Sequence, residues 1–349
     1  MNAASGRVSG PTSRSIFHLH ANLVCNLACR HCYSQSSPSA TALLSRAEAL
    51  RAVQLASDWG YEILSISGGE PLLYPWLRDV LELARSLGMV ISIISNGLLI
   101  ERPGMLETLA LADAVAVSVD GLAASHDAMR DRPRTFEKAK AGMAALASHN
   151  IPFAISCGVS SENLAELDEL AFQVHQLGAA GLQLHPIELT GRAAANLADL
   201  VLDDEQASAL YILTTLLAAE YAGRMNIRAD VLHRLTVIDH PGLLYAHDDD
   251  PETWSKQKPA QLLGVLVLDP NGLLVPICYG FAAPFAIGNL RQDETDNLWA
   301  RYIQQGGYAR LRQLGKTAHT ALVNGEGPDV FNPSDLLARL ALQYQSVQP

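Results

Sequence analysis

The chain has 349 residues, 49% of them hydrophobic and 17% charged, with a formal net charge of -11. That is ample apolar material for a large core, and it excludes bulk disorder. The acidic balance argues against nonspecific nucleic-acid binding, which needs a basic footprint. No apolar run reaches the length of a membrane span.

Residues 1–15 are rich in Ser, Gly and Ala, lack the apolar run of a secretory signal, and read as a flexible lead. A strand-like run at 17–24 precedes three cysteines held within eight residues. Ser45, with Glu48 three residues on, is a helix N-terminus signature. Strands and helices then alternate. Strands are expected at 62–67, 90–95, 114–119, 152–159 and 181–188, and helices at 76–87, 105–112, 136–148 and 164–177. Six such strands imply right-handed crossovers and a parallel sheet. The strands read as apolar on both faces, as when helices cover one side and a barrel interior the other. Six units are fewer than the eight of a closed barrel. The expected fold is therefore α/β, a partial (β/α)6 barrel with a small α+β C-terminal extension. Beyond residue 188 the pattern changes. Residues 203–223 read as one long helix and 247–251 as a polar loop. Runs at 262–268 and 273–277 flank Asp269-Pro270-Asn271-Gly272 as a hairpin, and helices follow at about 295–304 and 334–345. The expected organisation is a lead (1–15), a core (16–190), a helical linker (191–260) and the extension (261–349).

The cysteines carry the chemistry. The chain has five, an odd number, and Cys25, Cys29 and Cys32 are spaced C-x3-C-x2-C. That is a ligand cluster rather than a disulfide framework, and a reducing cytoplasm suits it. Three thiolates on one short loop can wrap a corner of a [4Fe-4S] cube and leave one iron without a protein ligand. The amino and carboxylate groups of S-adenosylmethionine (SAM) can fill that open position. The competing reading is structural zinc with His31 or a distant residue as fourth ligand. Zinc sites usually arrive as two spaced pairs, and no second pair exists here.

With Tyr33 following the third cysteine in the loop after the first strand, this segment resembles the radical SAM superfamily, over roughly residues 16–190. The resemblance implies the fold named above, one [4Fe-4S] cluster on Cys25, Cys29 and Cys32, and reductive cleavage of SAM. Gly68-Gly69-Glu70-Pro71, ending the second strand, matches the family's motif for the amino group of SAM. Ser95-Asn96-Gly97 ends the third strand, and Ser118-Val119-Asp120-Gly121 the fourth. The resemblance implies that Ser95, Ser118 and Asp120 lie near SAM, the latter two by its ribose and carboxylate. Arg130 could pair with that carboxylate or lie solvated on the surface. His185, closing the sixth strand, could line the substrate mouth or be simply hydrogen-bonded. No general acid or base is assigned.

The segment from Val267 through Cys278 to Leu290 is similar to the start of a SPASM or twitch extension. Such extensions bind auxiliary clusters through several cysteines, whereas only Cys157 and Cys278 remain here after Cys32. The extension is therefore read as degenerate, with one cluster per chain, Cys157 in the core and Cys278 a vestige or a small buried hydrophobe rather than a substrate-contacting thiol. The function implied is hydrogen abstraction from a ribosomally made peptide or a peptide-derived natural product. The alternatives are a small-molecule or cofactor biosynthetic enzyme, and a SAM-binding iron–sulfur redox sensor. Expected partners are the peptide or small-molecule substrate, a flavodoxin- or ferredoxin-type electron donor and, for a peptide, a separate recognition protein. Neither nucleic acid nor membrane is expected as a partner.

Overall fold

A computed structural model describes residues 14–246 and 250–347. Most of the expected lead, and residues 247–249 of the expected polar loop, lie outside the described residues.

Six strands, β1 (Ile16–His20), β2 (Ile63–Ser67), β3 (Val90–Ser95), β4 (Ala114–Ser118), β5 (Phe153–Val159) and β6 (Gly181–Pro186), lie side by side in chain order. All five pairings are parallel. The chain returns between them through helices, among them Arg46–Asp58, Leu77–Ser86, Thr135–Ser148 and Leu167–Gln176. The expected cap at the first is present. Ser45 Oγ accepts from Glu48 N at 3.3 Å, and Glu48 Oε2 accepts from Ser45 N at 2.6 Å. The α/β partial barrel read from the sequence is the fold observed.

The two strand faces differ, which corrects the expectation that both are apolar. In β5, Phe153, Ile155, Cys157 and Val159 are buried, while Ala154, Ser156 and Gly158 are only partly covered. The second set points into the barrel. There, His18, Ser67, Ser118, Ser156, Gly158 and His185 line a common cavity. Small and polar side chains keep that interior open, whereas large apolar ones would fill it.

The C-terminal part is woven into the same sheet. β7 (Asn226–Ala229) adds to β6 in parallel. β8 (Leu232–His233) follows, and then β9 (Val265–Leu268) and β10 (Leu273–Pro276) form the expected hairpin. Asp269 Oδ1 accepts from Asn271 N and Leu273 N to set its turn. β9 also pairs in parallel with β1. With β11 (Gly288–Asn289) the sheet order is β11-β10-β9-β1-β2-β3-β4-β5-β6-β7, and β12 (Val330–Phe331) pairs separately with β8. β1 and the cysteine loop it feeds are thereby central, flanked on both sides. The sequence reading missed β7, which is too short to show a period, and the helix Gly307–Val323, whose pattern Gly307 and Gly315 interrupt. Among the described residues no helix is long and apolar enough to cross a membrane.

Candidate metal centre

Cys25, Cys29 and Cys32 lie on the loop leaving β1 and line one cavity of about 430 Å³. Cys25 and Cys29 are buried and Cys32 partly so, and all three thiols are free. Leu27 N donates to Cys25 Sγ at 3.4 Å, and Arg130 Nη1 to Cys29 Sγ at 3.8 Å. Burial pushes the Cys25 thiol up to about 12. It raises that of Cys29 too, against the pull of Arg130. Buried thiols in this state lose their protons to a metal rather than to water.

Among the described residues no three His, Cys, Asp or Glu side chains converge on the position of a single ion. Three thiolates on one loop can each bind a different iron of a cube. His31 lines the same cavity, with its Nε2 3.6 Å from Asp120 Oδ2.

The loop is held by close backbone contacts. Gly69 N donates to Asn22 O at 2.7 Å and Glu70 N to Val24 O at 2.9 Å, just ahead of Cys25. A Cβ at Gly69 would stand 2.3 Å from Val24 O, so only glycine fits. From the far side, Arg192 N donates to Cys32 O at 3.0 Å, Arg192 Nε to Cys29 O at 2.8 Å, and Arg192 Nη2 to Ser36 O at 2.7 Å. Gly191, with φ of +55°, would place a Cβ 2.2 Å from Tyr33 O.

Most of the site residues expected from the sequence come together. Tyr33, Gly68, Gly69, Ser95, Ser118, Asp120 and Arg130 line the same cavity as the three cysteines. Glu70 stands behind it, with no exposed surface. Its Oε1 accepts from Leu72 N at 3.1 Å and Ser95 Oγ at 2.8 Å, and its Oε2 from Asn96 N at 2.9 Å. Burial raises this carboxyl, and the Asn96 and Leu72 amides pull it back. Glu70 thus ties the end of β3 to the end of β2. Asp120 is also buried. Its Oδ1 accepts from Gly158 N at 2.9 Å, and its Oδ2 lies 2.7 Å from Arg130 Nε. Burial would raise Asp120, but Arg130, then His31 and His126, outweigh it and hold the carboxyl at about 2. Arg130 is only 7% exposed, which rules out the solvated surface arginine. Cys157 is fully buried in the core, as expected.

The opposite wall went largely unread in the sequence. His185 Nδ1 meets Asp230 Oδ2 at 2.5 Å, and Gln183 Nε2 donates to Asp230 Oδ1. Burial would lower His185, but the Asp230 hydrogen bond and charge raise it on balance. Glu188 Oε1 accepts from Asn332 Nδ2 at 3.0 Å. Burial, then Asp335 and Asp230, push Glu188 up to about 7. Cys278 joins this wall, its thiol pushed up to about 12 by burial and then by Glu188 and Asp335. Beneath, His18 Nε2 and His20 Nδ1 share Ser67 Oγ. Burial holds His18 at about 4, so it is neutral at neutral pH. Asp230, Glu188 and Asn332 carry no local motif. Arg192 signals itself only through the glycine before it.

This arrangement defines an α/β barrel protein with a three-thiol metal loop opening on an internal cavity. Residues 22–174 match the family model described as the Radical SAM superfamily. Over this segment the chain is similar to the radical SAM superfamily, whose members are enzymes that use a [4Fe-4S] cluster and SAM. It is 36% identical over 175 residues to an AdoMet-dependent heme synthase of Methanosarcina barkeri, covering 48% of this chain and 49% of that protein. It is 27% identical over 171 residues to the antilisterial bacteriocin subtilosin biosynthesis protein AlbA of Bacillus subtilis, covering 48% and 38%. A pre-heme d1 synthase of Dinoroseobacter shibae is 25% identical over 342 residues, covering 91% and 83%. The chain spans about half the length, or less, of the first curated relatives it matches. The SAM-bound crystal structure of Streptococcus suis SuiB shares the fold, with a TM-score of 0.65 at 15% identity over 86% of this chain and 68% of that one.

Proposed function

We propose that this chain is a radical SAM enzyme that holds one [4Fe-4S] cluster on Cys25, Cys29 and Cys32. The observation that carries the reading is the meeting of those three free thiols, two of them buried, with Gly68, Gly69, Ser95 and Ser118 in one cavity. When bound, the cluster and SAM supply a 5′-deoxyadenosyl radical that removes a substrate hydrogen atom. The chain's own residues do the rest. Gly68, Gly69, Ser95, Ser118 and Arg130 offer cavity-facing groups to SAM. Glu70 acts from behind, fixing Ser95 and Asn96, while Asp120, in the cavity wall, fixes Arg130. Tyr33, ringed by His20 and Tyr279 with centroids 5.8 and 5.4 Å away, narrows the mouth and limits water.

For the substrate, we favour a ribosomally made peptide or peptide-derived natural product, supported by the likeness to AlbA. A flavodoxin- or ferredoxin-type protein would supply the electron, and a separate protein would recognise the peptide. The five free thiols suit a reducing, cytoplasmic setting. One observation favours a second reading, a small-molecule or cofactor biosynthetic enzyme. The relative aligned along 91% of the chain is a pre-heme d1 synthase.

The test is anaerobic reconstitution with iron and sulfide, addition of SAM and a strong reductant, and quantification of 5′-deoxyadenosine by mass spectrometry. The comparison is a variant with Cys25, Cys29 and Cys32 all replaced by Ala. Cysteine-dependent 5′-deoxyadenosine is the expected result. A parent chain that loads a cluster and binds SAM, yet forms none with peptide or tetrapyrrole candidates present, would favour the sensor reading instead.

A further inference from the structure

The Arg130 guanidinium is enclosed between two partners of opposite consequence. Its Nε stands 2.7 Å from Asp120 Oδ2, and its Nη1 donates to Cys29 Sγ at 3.8 Å. Both residues are fixed by the fold. Asp120 Oδ1 accepts from Gly158 N at 2.9 Å, and the Asp120 N–H donates to His126 Nδ1 at 3.0 Å. Arg130 N donates to His126 O at the end of the helix Ala123–Met129, and Met129 O accepts from Arg30 N in the cysteine loop. The exposures of the two side chains are 8% and 1%, so water screens neither charge well.

An electron entering an iron–sulfur centre spreads negative charge onto its sulfurs. A cation hydrogen-bonded to a ligating sulfur favours that reduced state, and an anion close behind opposes it. We propose that Arg130 and Asp120 form a charge couple acting through Cys29 Sγ, in which Arg130 eases the cluster's one-electron reduction and Asp120 limits it. The inference rests on the cluster proposed above. The step balances simply. A flavodoxin- or ferredoxin-class donor gives one electron to the 2+ cluster, which becomes 1+, with no bond made or broken and no proton moved. Both are positioning residues here, since they act through Cys29. Arg130 is suited to this role because its fork reaches the carboxylate and the sulfur at once, and because it stays charged at any working pH.

The experiment is an EPR-monitored redox titration of the reconstituted full-length chain without SAM, parent beside Arg130→Gln, Arg130→Lys and Asp120→Asn. Iron content and circular dichroism are measured on each. R130Q is expected to lower the ratio of reduced to oxidised cluster at a fixed poise by about tenfold, a midpoint about 59 mV more negative for one electron. R130K keeps the charge and should stay within about threefold of the parent. D120N should move the ratio the opposite way, toward the reduced state. A merely structural role would lower cluster loading without a signed shift. Midpoints that do not move in loaded R130Q and D120N, or that move in the same direction, overturn the inference. Should R130Q fail to load, D120N decides, and an unmoved or more negative midpoint overturns it. Loss of the cluster from every variant with the chain folded would make the couple an assembly device, which also overturns it. A parent that takes up no [4Fe-4S] cluster would sink the proposed function. A loaded parent with unmoved variants sinks only the charge couple.

Discussion

On one side of the cavity, Cys25, Cys29 and Cys32 sit on a loop stitched down by backbone amides from residues 69 and 70 and by the Arg192 side chain. Its buried charges are paired or hydrogen-bonded, as with Asp120 against Arg130 and Glu70 against Ser95 and Asn96. On the other side, His185, Glu188, Asp230, Cys278 and Asn332 converge from strand ends and loops far apart in the chain. There the balance is poorer. Glu188 is left protonated to about 7 because burial and two nearby carboxylates outweigh Arg339 and His185. The first wall holds its own groups in one geometry, as the proposed cofactor set would need. The second keeps groups whose protonation can change near neutral pH, where a substrate's own charge would alter the balance.

The largest expected effects lie on the tight wall. Gly69→Ala and Gly191→Ala would each press a Cβ to within 2.3 Å of a carbonyl oxygen, at Val24 and Tyr33 respectively. Each should cost about 1–3 kcal/mol of stability and most of the cluster, read by chemical denaturation and by iron content after reconstitution. Variants that keep full iron loading would show that the loop tolerates slack, and would erase the contrast between the walls.

A smaller, pH-dependent effect is expected on the open wall. Glu188 has a folded-state value of about 7 against an ordinary 4.5. Folding therefore takes up a proton between those values, and the parent loses stability as pH rises through that window. Glu188→Gln removes the loss. The variant should gain on the parent from about pH 4.5 upward, with the gain complete above about 7, in denaturant midpoints measured across that range. A difference independent of pH would mean that folding leaves the Glu188 carboxyl unshifted.

The smallest effect is expected at Cys278. Cys278→Ser should leave iron at about four per chain, because Cys157, the other cysteine outside the C-x3-C-x2-C loop, is buried in the core. Cys278, His185 and Glu188 would then belong to the substrate wall alone. About eight irons in the parent, falling on this substitution, would make Cys278 a ligand of a second cluster and turn the open wall into another metal site.

The tight wall was largely legible in the sequence because its parts are local. C-x3-C-x2-C, Gly68-Gly69-Glu70 and Ser95-Asn96-Gly97 each lie within a few residues at a strand end, and parallel strands bring strand ends together. The roles inside it were less legible. Glu70 and Asp120 read as cofactor contacts, and only the structure shows that their oxygens also bond to neighbouring groups of the protein.

The sequence alone determined the alternation of six strands and helices, the capping box at Ser45, the hairpin at Asp269–Gly272 and the metal loop. All of these depend on contacts within one turn or one βα unit. Only the tertiary structure decided that β9 lies against β1, that β7 extends the other edge, and that Arg192, Asp230, Glu188 and Asn332 face the cavity. These pairings join residues up to some 250 positions apart. They are selected by which surfaces fit together once the barrel has formed, and no local pattern of residues encodes that fit.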